Sequence, residues 1–247
     1  MASPDGNSLG FLRSIPNPLR YDHQSSDPDD VATKLAALVS RTGRVLDVGC
    51  GTGSVTEIIK NKTGADVIGI EPDPERQARA VKRGLKVYCG FLSEEFLYQH
   101  GPFQTILFAD VLEHLPSPGE MLLLAKKGLA PGGAIVASVP NVAHFFVRVK
   151  LLCGRFEYRD CGIMDATHLR WFTTDTLHFF FSNLGFAVTD HLYTVNTCMA
   201  EYGALPFRWI PHKNDVIRLM VRTSQPFWLP ARREGGTYRS ECVSAFR

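Results

Sequence analysis

The sequence lacks any stretch of about 18 uncharged apolar residues, the length that a membrane-crossing helix requires. Its opening residues, MASPDGNSLG, also lack the basic segment and following apolar run of a secretory leader. From these absences a cytoplasmic protein is expected. The six cysteines, Cys50, Cys89, Cys153, Cys161, Cys198 and Cys242, contain no CxxC pair and read as free thiols in a reduced compartment. Charge of one sign is scarce too. Lys and Arg number 27 against 25 for Asp and Glu, too small a surplus for a nucleic-acid or anionic-membrane footprint. The expected partner is a small molecule, with no nucleic acid.

What is present is a globular balance, with 45% hydrophobic and 21% charged residues, which excludes collagen, coiled coil and disorder throughout. A chain of this length folded as one domain buries roughly 70% or more of its extended surface, so its core needs no staple. Residues 1–26, rich in Pro, Asn, Ser and Asp, read as an extended arm. A domain over 27–225 follows. Asp27-Pro28 offers a helix cap and first-turn proline, and Val31, Leu35 and Leu38 recur at helical spacing. Strand-like runs at 44–48, 67–70, 85–88, 105–109 and 134–139 then alternate with helical patterns. Ser117-Pro118-Gly119-Glu120 reads as a capping box, and Pro131-Gly132-Gly133 as a break before the fifth strand.

This alternation predicts βαβ units, hence a parallel sheet with helices on both faces and right-handed crossovers. An aromatic-rich insertion at about 142–173 interrupts the rhythm before a helix at 174–183. Strands at 186–195 and 216–222, with no helix between them, read as an antiparallel pair at the sheet edge. The expected fold class is therefore α/β: a doubly wound, seven-stranded, mostly parallel sheet with an antiparallel edge strand. Residues 226–247 are basic and without period, and read as a poorly ordered tail.

The most informative run is Val45-Leu46-Asp47-Val48-Gly49-Cys50-Gly51-Thr52-Gly53, a strand that enters a glycine-rich turn and opens a helix. Glycines at 49, 51 and 53 permit a sharp bend and a close approach of the backbone to a ligand. Eighteen residues beyond Gly53, Glu71 ends the second strand, where a carboxylate can accept both hydroxyl hydrogens of a ribose. A dinucleotide turn would hold a pyrophosphate, but Asp47 on the preceding strand would repel one. The same carboxylate can pair with a cationic amino group, directly or through water. The expected ligand is a nucleoside that carries an amino-acid part.

On these residues, together with Ala109-Asp110-Val111-Leu112-Glu113-His114-Leu115 and the Pro131-Gly132-Gly133 turn, the sequence resembles the class I S-adenosylmethionine-dependent methyltransferases, over about residues 42–222. The resemblance implies a Rossmann-like fold and S-adenosyl-L-methionine as cofactor. It implies that Gly49, Gly51 and Gly53 line the methionine part, with Asp47 and Cys50 also among the cofactor-binding residues, that Glu71 holds the ribose, and that Asp110 and Val111 border the cofactor. Many members carry an acid after the third strand for the adenine amine, whereas Cys89-Gly90-Phe91-Leu92 offers none. Adenine is therefore expected against Phe91 or Leu92, bonded to backbone.

The run from Gly162 to Thr173 looks like a segment of methyltransferases associated with glycan assembly. His168 has the right ordinary pKa to take a proton from an acceptor hydroxyl, and Asp165 is suited to orient its ring. The other reading is that the two residues tie the insertion together. Glu113 and His114 are adjacent on a helical turn and point in different directions, with no third ligand at usable spacing, so no metal is expected. The apolar segment 145–152 is read as a lid on its own domain, with membrane contact as the second reading.

The resemblance implies in-line attack by an acceptor oxygen on a sulfonium methyl. The first acceptor class is a sugar hydroxyl on a glycan, nucleotide sugar or glycolipid, and the second a small natural-product or quinone-type phenol. A weaker similarity to the MetW-like proteins of methionine biosynthesis, through Ser138-Val139-Pro140-Asn141, leaves a non-catalytic accessory role as the alternative from another class.

Overall fold

A computed structural model of the chain describes residues 19, 21–22 and 30–194, and the backbone of 216–223. Helix α1 (Val31–Leu38) leads into β1 (Arg44–Val48), followed by α2 (Ser54–Thr63), β2 (Asp66–Glu71), α3 (Pro74–Lys82), β3 (Lys86–Cys89), α4 (Glu94–His100), β4 (Phe103–Ala109), α5 (Pro118–Lys127) and β5 (Leu129–Pro140). These five strands pair in parallel in the order β3-β2-β1-β4-β5. The α/β class and its parallel sheet agree with the alternation read from the sequence. The central strands are apolar on both faces, so helices must cover both. Leu46, Ile68, Phe108 and Ile135 pack with Leu97 of α4 and Leu122 of α5 on one side, and Val45, Val67, Leu107 and Val136 pack with Leu35 of α1 and Ile59 of α2 on the other.

Beyond β5 the chain forms α6 (Phe145–Leu152), α7 (Thr174–Asn183), β6 (Phe186–Thr194) and β7 (Val216–Thr223). In the sheet β7 pairs antiparallel with both β5 and β6. The strand that runs against the rest thus stands one place in from the edge, a correction to its expected edge position. Val216–Thr223 contains neither proline nor glycine, so it can donate and accept along both of its sides.

Two caps differ from the sequence reading. The N-cap of α1 is Asp30, whose side chain accepts from Ala32 N, and Asp27-Pro28 lies outside the described residues. Ser117 makes no side-chain capping bond, so the capping box does not form, although Pro118 does occupy the first turn of α5. The Pro131-Gly132-Gly133 break falls inside β5, where the register against β4 shifts between Phe103 and Thr105. The arm and tail expected at 1–26 and 226–247 lie outside the described residues, apart from Leu19, Tyr21 and Asp22.

The insertion at 142–173 is closed at its base by Val142 N donating to the Phe172 carbonyl at 2.9 Å. It carries a satellite core of Val147, Ile163 and Met164, backed by Val142. Among the described residues no helix is long and apolar enough to cross a membrane. Cys50, Cys89, Cys153 and Cys161 are free thiols, as expected.

Candidate active site

The order of the strands reverses between β1 and β4, which lie side by side although β2 and β3 separate them in the chain. Ligands of open α/β sheets bind at the carboxyl ends of the strands at such a reversal. The glycine-rich turn leaves β1 there. Its three glycines have φ of +69°, +58° and +79°, the left-handed region that excludes most side chains. Their roles differ. A Cβ on Gly53 would stand 2.5 Å from Leu85 Cδ1 and 3.0 Å from Ala80 Cβ, so that glycine serves packing against α3 and the residue that leads into β3. A Cβ on Gly49 would meet Val111 Cγ2 at 3.0 Å, which links the turn to the end of β4. Around Gly51 a Cβ would meet nothing within 4 Å, so its backbone borders open space.

Glu71, 3% exposed, accepts from Gly51 N at 2.8 Å and from Asp73 N at 3.0 Å. Each carboxylate oxygen keeps a further lone pair. Asp47 is buried, with Thr56 Oγ1 donating to its Oδ2 at 2.6 Å and Oδ1 without a partner. Burial, reinforced by the Glu71 charge, raises its carboxyl to about 7. Burial also raises the Cys50 thiol, so Cys50 is not a nucleophile. Its sulfur packs where Gly69 leaves room, since a Cβ at 69 would stand 2.6 Å from it.

After β4, Asp110 holds φ +53°, a left-handed conformation rare outside glycine. Ser138 fixes it by donating its hydroxyl to Asp110 Oδ1 at 2.8 Å and accepting from Asp110 N. Beyond β3, Phe91 is 77% exposed whereas Leu92 belongs to the main core. Of the two expected adenine contacts, only Phe91 presents a free ring.

The 3-10 turn Leu112–His114 follows Val111 and meets the insertion. Glu113 is 1% exposed, and neither of its carboxylate oxygens has a hydrogen-bond partner. Burial first, then the charges of Asp110 and Asp165, pushes its carboxyl well above the ordinary range. Its main-chain oxygen accepts from Leu169 N and Arg170 N at 2.8 and 3.0 Å, which brings His168 to the turn. One ligand-type atom each of Glu113, His114 and His168 lie within 4.8 Å of one another. The third partner that Glu113 and His114 lack in local spacing is thus supplied by the fold.

Nδ1 of His168 does not face Asp165. That nitrogen faces the Ile163 carbonyl at 3.0 Å. The Asp165 carboxylate accepts instead from Thr167 N, from Thr167 Oγ1 and, at 2.6 Å, from the Tyr21 hydroxyl. Next to Tyr21, Asp22 pairs with Arg83 at 2.7 Å and with Arg79 at 3.0 Å, which holds its carboxyl below the ordinary range, the Arg83 bond first. Residues 21–22 therefore tie α3 to the insertion. No motif in the sequence announced this strap, because its partners lie far away in the chain.

The protein-family model described as "Methyltransferase domain" matches residues 21–191, most of the chain. The chain belongs to the methyltransferase-domain family. An S-adenosylmethionine-dependent methyltransferase titled a possible histamine N-methyltransferase, from Thermotoga maritima, superposes with a TM-score of 0.54 at 18% identity, covering 79% of this chain and 87% of that one. Magnesium protoporphyrin IX methyltransferase from Synechocystis, solved with bound S-adenosylhomocysteine, gives 0.53 at 18%, covering 87% and 94%. These similarities show the fold. Among curated proteins, ubiquinone biosynthesis O-methyltransferase from Methylococcus capsulatus is 32% identical over 145 residues, 56% of this chain and 55% of the relative. The chain spans about half the length of the curated relatives it matches.

The cofactor of this methyltransferase is S-adenosyl-L-methionine, and the residues fit it. The unpartnered Oδ1 of buried Asp47 is what an ammonium group, directly or through water, satisfies. The open side of Gly51 admits a ligand against bare backbone, and the spare lone pairs of Glu71 suit two hydroxyl donors.

Proposed function

We propose that this methyltransferase transfers a methyl group to a hydroxyl of a quinone-type phenol. The observation that carries the reading is the Glu113–His114–His168 cluster at the carboxyl edge of the sheet, beside the cofactor turn. Groups that promote loss of a proton are wanted there when the acceptor is a hydroxyl, and the curated relatives are named for O-methylation in ubiquinone biosynthesis. That naming favours a phenol over the sugar hydroxyl that the insertion's sequence suggested.

Bound, S-adenosylmethionine supplies an electrophilic methyl group on a sulfonium, and its sulfur retains the C–S bonding pair on transfer. The chain's residues then have separate tasks. Glu71 holds the ribose, and Asp47 holds the ammonium of the methionine part. Gly49 and Gly51 keep the backbone close, and Asp110 and Val111 border the cofactor at the end of β4. Phe91 offers a ring for the adenine. The cluster is placed to promote loss of the proton that the acceptor hydroxyl releases. Because the positive charge of the sulfonium is neutralised during transfer, alignment matters more than charge stabilisation.

The test is incubation of the purified chain with methyl-labelled S-adenosylmethionine and, in separate arms, catechol-type phenols bearing an isoprenoid side chain, nucleotide sugars and glycan acceptors. Label recovered in a phenyl methyl ether supports the reading. Label in a sugar ether, or cofactor binding with no labelled product in any arm, as expected of an accessory protein, overturns it.

A further inference from the structure

The geometry points to Glu113, His114 and His168 as the protein ligands of a divalent transition-metal ion on the acceptor side of the cofactor turn. Three observations carry this. First, Glu113 is a carboxylate 1% exposed with neither oxygen hydrogen-bonded, a state that demands an explanation in a folded protein. The charges that act on it are those of Asp110 and Asp165, both of its own sign, so the site wants a cation.

Second, the two imidazoles are oriented as ligands are. Nδ1 of His168 faces the Ile163 carbonyl at 3.0 Å, and Nδ1 of His114 faces the Thr167 carbonyl at 3.3 Å and the Thr167 hydroxyl at 3.2 Å. A carbonyl can only accept, so each Nδ1 carries the hydrogen and each Nε2 the lone pair. Metal-bound histidines almost always donate their other ring nitrogen to such an acceptor, which fixes the tautomer. The Thr167 hydroxyl donates to Asp165 at 2.7 Å, so the acceptors behind the ligands are themselves held.

Third, donor atoms of the three residues lie within 4.8 Å of one another. An ion bound at about 2.0–2.2 Å holds its ligands roughly 3 to 3.5 Å apart, so modest side-chain rotations close the set. Two imidazoles and one carboxylate suit Zn²⁺, Fe²⁺ or Co²⁺ better than Mg²⁺ or Ca²⁺, which take oxygen ligands. Three protein ligands leave positions for the acceptor. Resting on the phenol reading above, the substrate class is a phenol with a second oxygen on the adjacent carbon; the ion would lower the pKa of the phenol, whose proton leaves to solvent, and His168 acts as a ligand.

Metal binding is tested on the full chain, stripped with chelator, by calorimetric and absorption titration with Co²⁺ and Zn²⁺. One ion per chain is expected, with Co²⁺ absorption typical of nitrogen and oxygen ligands and without a thiolate charge-transfer band. Glu113→Gln, His114→Ala and His168→Asn should each weaken binding at least tenfold, with folding checked by circular dichroism. Thr167→Val, which keeps all three ligands, should weaken it less than the ligand variants do. No binding, or equal binding in wild type and all folded ligand variants, overturns the proposal. Because this readout needs no turnover, an ion that binds as described while no phenol is methylated would remove the acceptor reading alone.

Discussion

At the residue scale, two glycines that look alike in the motif do different things. Gly51→Val should cost only about 1–2 kcal/mol of stability, the strain of its left-handed backbone, and abolish S-adenosylhomocysteine binding by filling the open side. Gly53→Val should instead lower the yield of folded protein, since its Cβ collides with Leu85 and Ala80. Calorimetry and thermal melts on the two variants separate these outcomes. Glu71→Ala should weaken cofactor binding by about 1.5–3 kcal/mol through loss of charge-assisted bonds. An unchanged dissociation constant would remove its ribose role.

Asp47 makes the binding depend on pH. Its carboxyl lies at about 7 in the free protein and should fall when an ammonium group pairs with it. Binding then releases a proton below neutrality, so affinity for S-adenosylhomocysteine should rise with pH from about 5 to 7 and level off above. Asp47→Asn should flatten the profile. A slope that survives in the variant would assign it to another group.

At the element scale, the insertion at 142–173 is held on one side by the bonds of residues 167–170 to the 3-10 turn and more lightly elsewhere. Its satellite core is small, its base is a single bridge, and its far side depends on residue 21. The Tyr21 hydroxyl donates to Asp165 and accepts from Gly162 N at 3.1 Å. Tyr21→Phe removes both bonds. A bond to a carboxylate is worth about 1.5–3 kcal/mol when buried, and the partial exposure of Tyr21 reduces this to roughly 1 kcal/mol. Hydrogen exchange should accelerate at 162–168 and stay unchanged in β1 and β4. Equal acceleration throughout would show that the strap stabilises the whole domain and not the insertion.

At the scale of the whole molecule, carboxylates with opposite shifts set the dependence of stability on pH. Asp47 has a folded-state pKa above its unfolded value near 3.8, so its contribution is full below about 4 and is lost as pH rises through about 7. Glu113 acts in the same sense. Asp22 and Glu157, lowered mainly by Arg83 and Lys150, contribute above the ordinary carboxylate range and lose their contribution in acid. The cofactor-free protein should therefore melt at a higher temperature near pH 5 than near pH 7, and Asp47→Asn should reduce that difference.

The sequence by itself determined the parallel α/β alternation, the turn at 49–53 and the acid at 71, because strand period, helix period and turn chemistry are written in contiguous residues. It did not separate Gly51 from Gly53, since the neighbour that decides their roles, Leu85, is the residue just before β3. Nor did it place β7 between β5 and β6, because pairing order is chosen by the whole sheet. Only the tertiary structure united Glu113 and His114 with His168, whose neighbour Thr167 stands 53 positions from His114, and joined Tyr21 to Asp165 across 144. Such meetings depend on how an insertion folds back over the carboxyl edge, and no local spacing encodes that path.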